Sequence, residues 1–389
     1  MECIKLSRLL TAFASVPDPR RPQGRRYPLA AILTLAVAAM LANHGSVLAM
    51  AEWGADQSTD LLARLGFPNG TTPHQSTLQR LFRRLDPHRL SAALSQALTG
   101  DVAIDPPARG HEGIALDGKA HRGRLAFQSD AHACVHALSA VCHTHGIVLA
   151  QLPITSTAEK AEAELTVAPA LIAQLAWPGR VLTGDALYCQ RDLCTQILTA
   201  GGDYLFLVKA NQPDLLEDVR LLFDPPHVTL PLRDRREART VDQGHGRYDD
   251  TRHLVTSTDL TDYLDWPGLA QIFRLEHSWW EKDGAHRTIR YGITSLPPEV
   301  ASADQLLVLR RGHWTIENQV HYVKDVSLGE DRCPVHLDAG PMILAILRDT
   351  VISLLHAAGI HTIAAQLRTI SRHPDTLLPL LGLAVRQNA

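Results

Sequence analysis

Three acids, far apart in the chain, each stand where a folded protein would present a carboxylate. Asp117 lies in GIALDGKAHRG, Asp185 in RVLTGDALYCQ and Glu317 in RRGHWTIENQVHYVKD. The first two end short apolar runs that predict buried strands, and the third lies in a segment that predicts a helix. A carboxylate at the end of a buried strand is costly unless something neutralises it. Mg²⁺ suits such a site because it takes oxygen ligands and keeps several waters. Two ions a few ångströms apart can activate an attacking oxygen and stabilise a leaving one, the chemistry of phosphodiester cleavage. A lone strand-end Asp is ordinarily a turn or helix cap. Three acids at matching element ends, with an α/β pattern between them, favour a shared site instead.

Basic and polar neighbours extend the pattern. Lys119, Arg122 and Arg124 follow Asp117; they either contact phosphates or form a solvated loop. Glu317 and Lys324 are seven residues apart, two turns of an α-helix, so they share a face and Lys324 is expected to reach a phosphate beside the metal. Arg310 and His313 lie near that side. Glu330 and Asp331 are rival third acids, ranked lower because Gly329 is expected to end the helix before them. Gln190 follows Asp185 by five residues. Lys209, Asn211 and Gln212 follow a later strand and either touch DNA backbone or cap a turn.

The elements that must position these residues are readable from periodicity. Residues 1 to about 105 read as helical, with apolar residues at helical spacing in KLSRLLTAF, LAAILTLAVAAML and LSAALSQAL. HQSTLQRLFRRLD predicts a helix capped by Ser76, with Leu78, Leu81, Phe82 and Leu85 on one face. Arg80, Arg83 and Arg84 lie off that face, as on the recognition helix of a helix-turn-helix or on an ordinary basic surface. DPPARGHEG marks a boundary, giving a helical domain over 1–105 and a catalytic domain over 106–389. Beyond it come three strands, a helix, a strand, a helix and a strand: a mixed α/β sheet in the order of an RNase H-like domain. A polar, β-rich insertion spans about 224–298, and helices return to the end of the chain.

Composition is that of a folded protein of ordinary polarity: 389 residues, 45% hydrophobic, 20% charged, net charge −3. The balance is not the basic excess common in nucleic-acid enzymes, so any DNA contact must come from local clusters. Six cysteines without a CxxC pair read as free thiols in a reducing compartment. The apolar stretch from Pro28 is shorter than the ~20 residues of a bilayer span and predicts a buried helix. With no signal-peptide pattern at the start, a cytoplasmic protein without membrane association is expected.

With these residues in view the chain resembles the DDE transposases of bacterial insertion sequences, in their H-repeat-associated branch. DPRRPQGRRYPLAAILTLAVAAMLANHGSVLAMAEWG is similar to that family's associated helical domain. ALDGKAHRG, LTGDALYCQ, DYLFLVKANQPDL, YGITSL and RGHWTIENQVHYVKDVSLGED are similar to its catalytic blocks. The resemblance implies an RNase H-like core with Asp117, Asp185 and Glu317 as the metal-binding triad. It also implies two Mg²⁺ ions, replaceable by Mn²⁺, and DNA cutting at transposon ends followed by joining to target DNA. Related enzymes carry a Tyr, Arg, Glu, Lys signature around the last acid; Glu317 and Lys324 match it, while Arg310 and His313 stand at the other two positions. Glu164 fits the family's Lys-Ser-Asn-Glu run, whose other positions are looser here. Double-stranded DNA is the implied partner, and the pairing of two ends implies a homodimer on DNA.

Trp280, beside Trp279 in the insertion, is a candidate to stack on a flipped base, with core packing expected for at least one of the two. Trp53 and Trp314 read as core. His132, His136, His143 and His145 fall close together but lack the convergence of a zinc site, and no zinc is expected. Two other functions fit the same residues. One is a nuclease that cuts without joining, separated by the absence of strand-transfer products. The other is a catalytically inactive DNA-binding protein derived from a transposase, separated by salt-sensitive binding without cleavage.

Overall fold

The computed structural model describes residues 6–99, 111–120, 136–154, 160–225, 232–244, 247–282 and 284–381. Six helices come first: α1 (Leu6–Ser15), α2 (Leu29–Leu41), α3 (Val47–Ala55), α4 (Thr59–Arg64), α5 (Gln75–Phe82) and α6 (Pro87–Thr99). There follow β1 (Glu112–Ala120), β2 (His136–Cys142), β3 (Val148–Ile154), α7 (Lys160–Ile172), β4 (Arg180–Gly184), α8 (Arg191–Thr199), β5 (Asp203–Val208) and α9 (Pro213–Phe223). Four strands make the insertion: β6 (Arg236–Gly244), β7 (Arg247–Ser257), β8 (Gln271–Glu281) and β9 (Gly284–Thr294). The chain continues with α10 (Ala303–Gly312), α11 (Gly340–Ala357), α12 (Ile363–Arg372) and α13 (Leu377–Leu380). The fold class is mixed α/β and RNase H-like, with helices before and after the sheet.

The chain divides into two compact units. The first holds Met1–Ile104, Gly118–Val167 and Thr315–Ala389; the second holds Asp105–Asp117 and Ala168–Trp314.

The first unit is built round α11. All 18 of its residues are buried, Arg348, Asp349 and His356 included. It packs on α2, α5, α6 and β3. A helix apolar on every side belongs in a core, and α2 follows the same rule with only Ala30 outside the buried set. The stretch Pro22–Leu41, which includes α2, and α11 are long and apolar enough to cross a bilayer, yet their windows are 67% and 100% buried within the protein. α6 lies along β3, where Ser91 Oγ donates to the Gln151 carbonyl at 2.5 Å and Ser95 Oγ to that of Leu149. β2 and β3 pair antiparallel across the turn at Gly146, whose φ of 63° suits a residue without Cβ. α5 buries Leu78, Leu81 and Phe82 as expected, but its cap is His74, whose ring accepts from the Ser76 amide. Ser76 sits inside the first turn rather than before it.

The second unit carries a mixed sheet in the order β1-β4-β5-β9-β8-β7-β6. β1, β4 and β5 are parallel, and all of β4 is buried. Strands covered on both faces read as continuous apolar runs, and β4 and β5 do so. The insertion is no separate lobe: β9 pairs antiparallel with β5, and the remaining strands follow by antiparallel pairing. Gly292 makes the junction possible, because a Cβ there would stand 2.5 Å from the Phe206 carbonyl oxygen. Under the sheet, α10 contributes Leu306, Leu307 and Leu309 to a core with Val181, Leu205, Leu207, Leu254, Phe273 and Leu275. Its start is fixed by a capping box between Ser302 and Gln305.

Candidate active site

In the second unit Asp185 directly follows β4, at the strand end where open α/β sheets bind their ligands, and Asp117 lies in β1 beyond the stretch paired with β4. β1 and β4 run in register, with Ala115 opposite Thr183. Two residues further along each chain come Asp117 and Asp185. β5 lies on the other side of β4, with Gly184 opposite Phe206, and Lys209 follows its last residue.

Asp185 is held from several directions. Its Oδ1 accepts from the Ala186 amide at 2.8 Å, which starts a short 3₁₀ turn over Ala186–Tyr188. Lys209 Nζ donates to Oδ1 and Oδ2 at 3.0 and 3.2 Å. Burial pulls the Asp185 carboxyl upward, but Lys209, the Ala186 amide and the charge of Arg310 outweigh it and hold the group below the ordinary carboxylate range. The acid therefore stays ionised and already draws a cation.

Asn211 and Gln212 brace this corner. Asn211 Nδ2 donates to the Ala186 carbonyl at 2.7 Å, and Gln212 Nε2 to the Cys189 carbonyl at 3.0 Å and Gln190 Oε1 at 3.2 Å. Gln190 in turn donates to the Leu187 carbonyl at 3.1 Å. The three side chains tie the loop after β5 to the loop after β4. Of the two roles open to Asn211 and Gln212, this is the turn-bracing one.

The end of α10 reaches the same corner. His313 Nδ1 lies 3.2 Å from Thr183 Oγ1, two residues before Asp185. Arg310 is 7% exposed, and its Nε and Nη1 make no hydrogen bond. Burial, with Arg290 nearby, pushes its guanidinium down to about 10, while Asp185 pulls it up. Trp314, expected in a core, is instead 54% exposed; Trp53 is 5% exposed, as expected.

In the first unit the helical reading of the third acid's segment changes form. Ile316–His321 and Val323–Ser327 are π-helical turns with i→i+5 bonds. A wider turn ends the two-turn equivalence of positions seven apart, so Glu317 and Lys324 need not share a face. Glu317 is 53% exposed, and its Oε2 lies 3.1 Å from Nδ1 of His321, which is 5% exposed. Lys324 is 1% exposed, 3.1 Å from Asp349 and 3.6 Å from Glu330. Arg348 completes a buried quartet at 3.6 Å from Glu330. Lys324 is thus turned inward, not toward a phosphate. Burial disfavours its charge, but Asp349 and Glu330 more than compensate and it stays protonated. Glu330 is engaged in the same quartet, which removes it as an exposed third acid; Gly329 ends the preceding turn in the left-handed conformation.

The other basic candidates divide. Lys119 is 9% exposed and bound to Asp325 at 2.5 Å. Arg83 pairs with Asp338 at 2.6 Å, Arg84 donates to the Pro19 carbonyl at 2.7 Å, and Arg80 donates to the Ser76 carbonyl at 3.0 Å. Arg80 and Arg84 remain exposed. Arg122, Arg124 and His132 lie outside the described residues. Trp280 is 55% exposed on β8, whereas Trp279 stacks between His277 and His286. His321 is a neighbour of Glu317 that sequence reasoning passed over. Its signal was the four-residue step from Glu317, which puts two possible ligands on neighbouring turns.

A mixed sheet with parallel β1, β4 and β5 at its core defines a protein of the RNase H-like fold class. Comparison with known proteins gives the family. Residues 108–349 match the family described as "Transposase DDE domain", and residues 10–97 match the one described as "DDE_Tnp_1-associated". The chain belongs to the DDE transposase family. It is 27% identical to the "H repeat-associated putative transposase YhhI" of Escherichia coli (strain K12), covering 90% of this chain and 91% of that one. It is 31% identical to the "Uncharacterized protein in dhlA 3'region" of Xanthobacter autotrophicus, over 68% of this chain and 86% of the other. Among solved structures, a piggyBac transposase synaptic complex with hairpin DNA aligns with a TM-score of 0.43 at 10% identity, over 95% of this chain and 79% of that one. Membership implies a DNA-directed enzyme that uses divalent metal.

Proposed function

We propose that the protein cuts DNA at insertion-sequence ends and joins the freed ends to target DNA, with Asp117, Asp185 and Glu317 as the catalytic acids. The observation that supports this reading is the register of β1 and β4, in which Asp117 and Asp185 each come two residues after the paired Ala115 and Thr183. The donor set suits Mg²⁺, with Mn²⁺ as a substitute, because it offers hard carboxylate oxygens. It also suits a cation physically: the Lys209 ammonium takes both oxygens of Asp185. When bound, two divalent ions supply the charge that stabilises the attacking and leaving oxygens of an in-line displacement.

The chain's own groups do the rest. Asp185 is kept ionised by Lys209 and the Ala186 amide, so the acid is ready at neutral pH. Asn211, Gln212 and Gln190 hold its loop in place. Arg310, buried with two unpartnered N–H groups near Asp185, adds positive potential for an approaching phosphate. Arg80 on α5 and Arg84 just after it are exposed for duplex contacts, and Trp280 for a base taken out of the stack. Double-stranded DNA, a homodimer on paired ends and a cytoplasmic location belong to the same reading.

The test is cleavage and joining of end-containing DNA with Mg²⁺, comparing wild type with Asp117→Ala, Asp185→Ala and Glu317→Ala. Each substitution is expected to abolish both products. Wild-type activity in any variant removes that residue from the mechanism, and nicks without joined strands turn the reading into that of a nuclease.

A further inference from the structure

His321 is buried, lies beside Glu317, and has no role in the reading above. Its Nδ1 stands 3.1 Å from Glu317 Oε2. Two such atoms either share a proton or bind one cation. Donors on adjacent corners of an octahedral ion, with bonds of about 2.1–2.2 Å, stand about 3.0–3.1 Å apart. The separation of the pair therefore matches that of two neighbouring ligands on one ion. The π-helical turn carrying them is a form concentrated at functional sites.

We infer that His321 is a nitrogen ligand to the ion held by Glu317, and that the site consequently prefers Mn²⁺ to Mg²⁺. The inference rests on the proposed reading, which puts a divalent ion at Glu317. Carboxylates serve Mg²⁺ and Mn²⁺ alike, whereas an imidazole favours the transition metal. The preference is thus written by one residue outside the three acids.

The experiment titrates Mn²⁺ into the full chain without DNA and reads nitrogen coupling to the bound ion by electron spin echo envelope modulation. Wild type is expected to show a directly bound nitrogen, and ¹⁵N-histidine labelling to convert the ¹⁴N pattern without any substitution. His321→Gln is expected to lose the coupling and about tenfold or more in Mn²⁺ affinity, with Mg²⁺ affinity changing less than about threefold. Bound Mn²⁺ without nitrogen coupling in wild type, or unchanged coupling in His321→Gln, overturns the inference and leaves His321 as a hydrogen-bond partner of Glu317. Failure of the underlying reading looks different: wild type binds no Mn²⁺, or binding is indifferent to Asp185→Asn and Glu317→Gln together.

Discussion

Lys324→Met is the most discriminating perturbation in the first unit. Lys324 is 1% exposed and lies 3.1 Å from Asp349 and 3.6 Å from Glu330, with Arg348 supplying the second positive charge. Two cations and two anions balance. Removing one cation leaves an uncompensated anion in the core, which costs about 3–5 kcal/mol. With a urea slope of roughly 1–3 kcal/mol per molar, the unfolding midpoint falls by about 1 M or more. Removing the partner as well, in Lys324→Met with Asp349→Leu, restores neutrality. That double variant is expected to recover about 2 kcal/mol or more relative to the sum of the singles. Urea unfolding of the four proteins reads the cycle directly. If Lys324 instead faced DNA, the single variant would fold normally and lower the salt slope of DNA binding by about one. Stability within about 1 kcal/mol of wild type, or strict additivity, refutes the buried-quartet argument.

Two further outcomes follow from contacts at the acids. Asp185 has its pKa lowered, so its contribution to stability is present above the ordinary value of 3.8 and is lost as pH falls through the lower folded value. Lys209→Met is expected to move the Asp185 titration upward, read by carboxylate NMR with selective aspartate labelling; an unmoved titration removes Lys209 as its cause. Gly118→Ala places a Cβ 2.2 Å from Glu164 Oε1, and Glu164 is 4% exposed. A loss of about 1–3 kcal/mol in urea unfolding is expected, partly recovered when Glu164→Ala is added; wild-type stability in the single variant contradicts the packing.

Much of the sheet was legible because its strands are buried on both faces. GIALD and RVLTGD announce themselves as short apolar runs ending on acids, and the two runs pair as parallel neighbours up to Ala115 and Thr183. α2 was legible for the same reason, as an apolar helix too short to span a bilayer comfortably. What stayed hidden depends on partners distant in sequence. Lys324 finds Asp349 across 25 residues, and the clue was the Arg348-Asp349 pair inside the apolar run MILAILRDTVISLL, since charges in such a helix need counter-charges. No residue pattern marks a π-helical turn, so spacing drawn for an α-helix put Lys324 on the face of Glu317. The cap of α5 was misplaced by two residues because a histidine ring took the task usually given to serine. Trp314 carries a core residue's chemistry and stands 54% exposed.

The attachment of β9 to β5 limits how this protein can be trimmed or diversified. β5 has β4 on one flank and β9 on the other, and Tyr204–Val208 are buried between them. Excising the insertion would strip hydrogen-bonding partners from an apolar strand and leave a sticky border for other chains to join. Length variation is tolerable at the outer margin, around the β6–β7 turn, and punishing at the seam. A shortened descendant would have to supply a replacement strand before it could stay in solution.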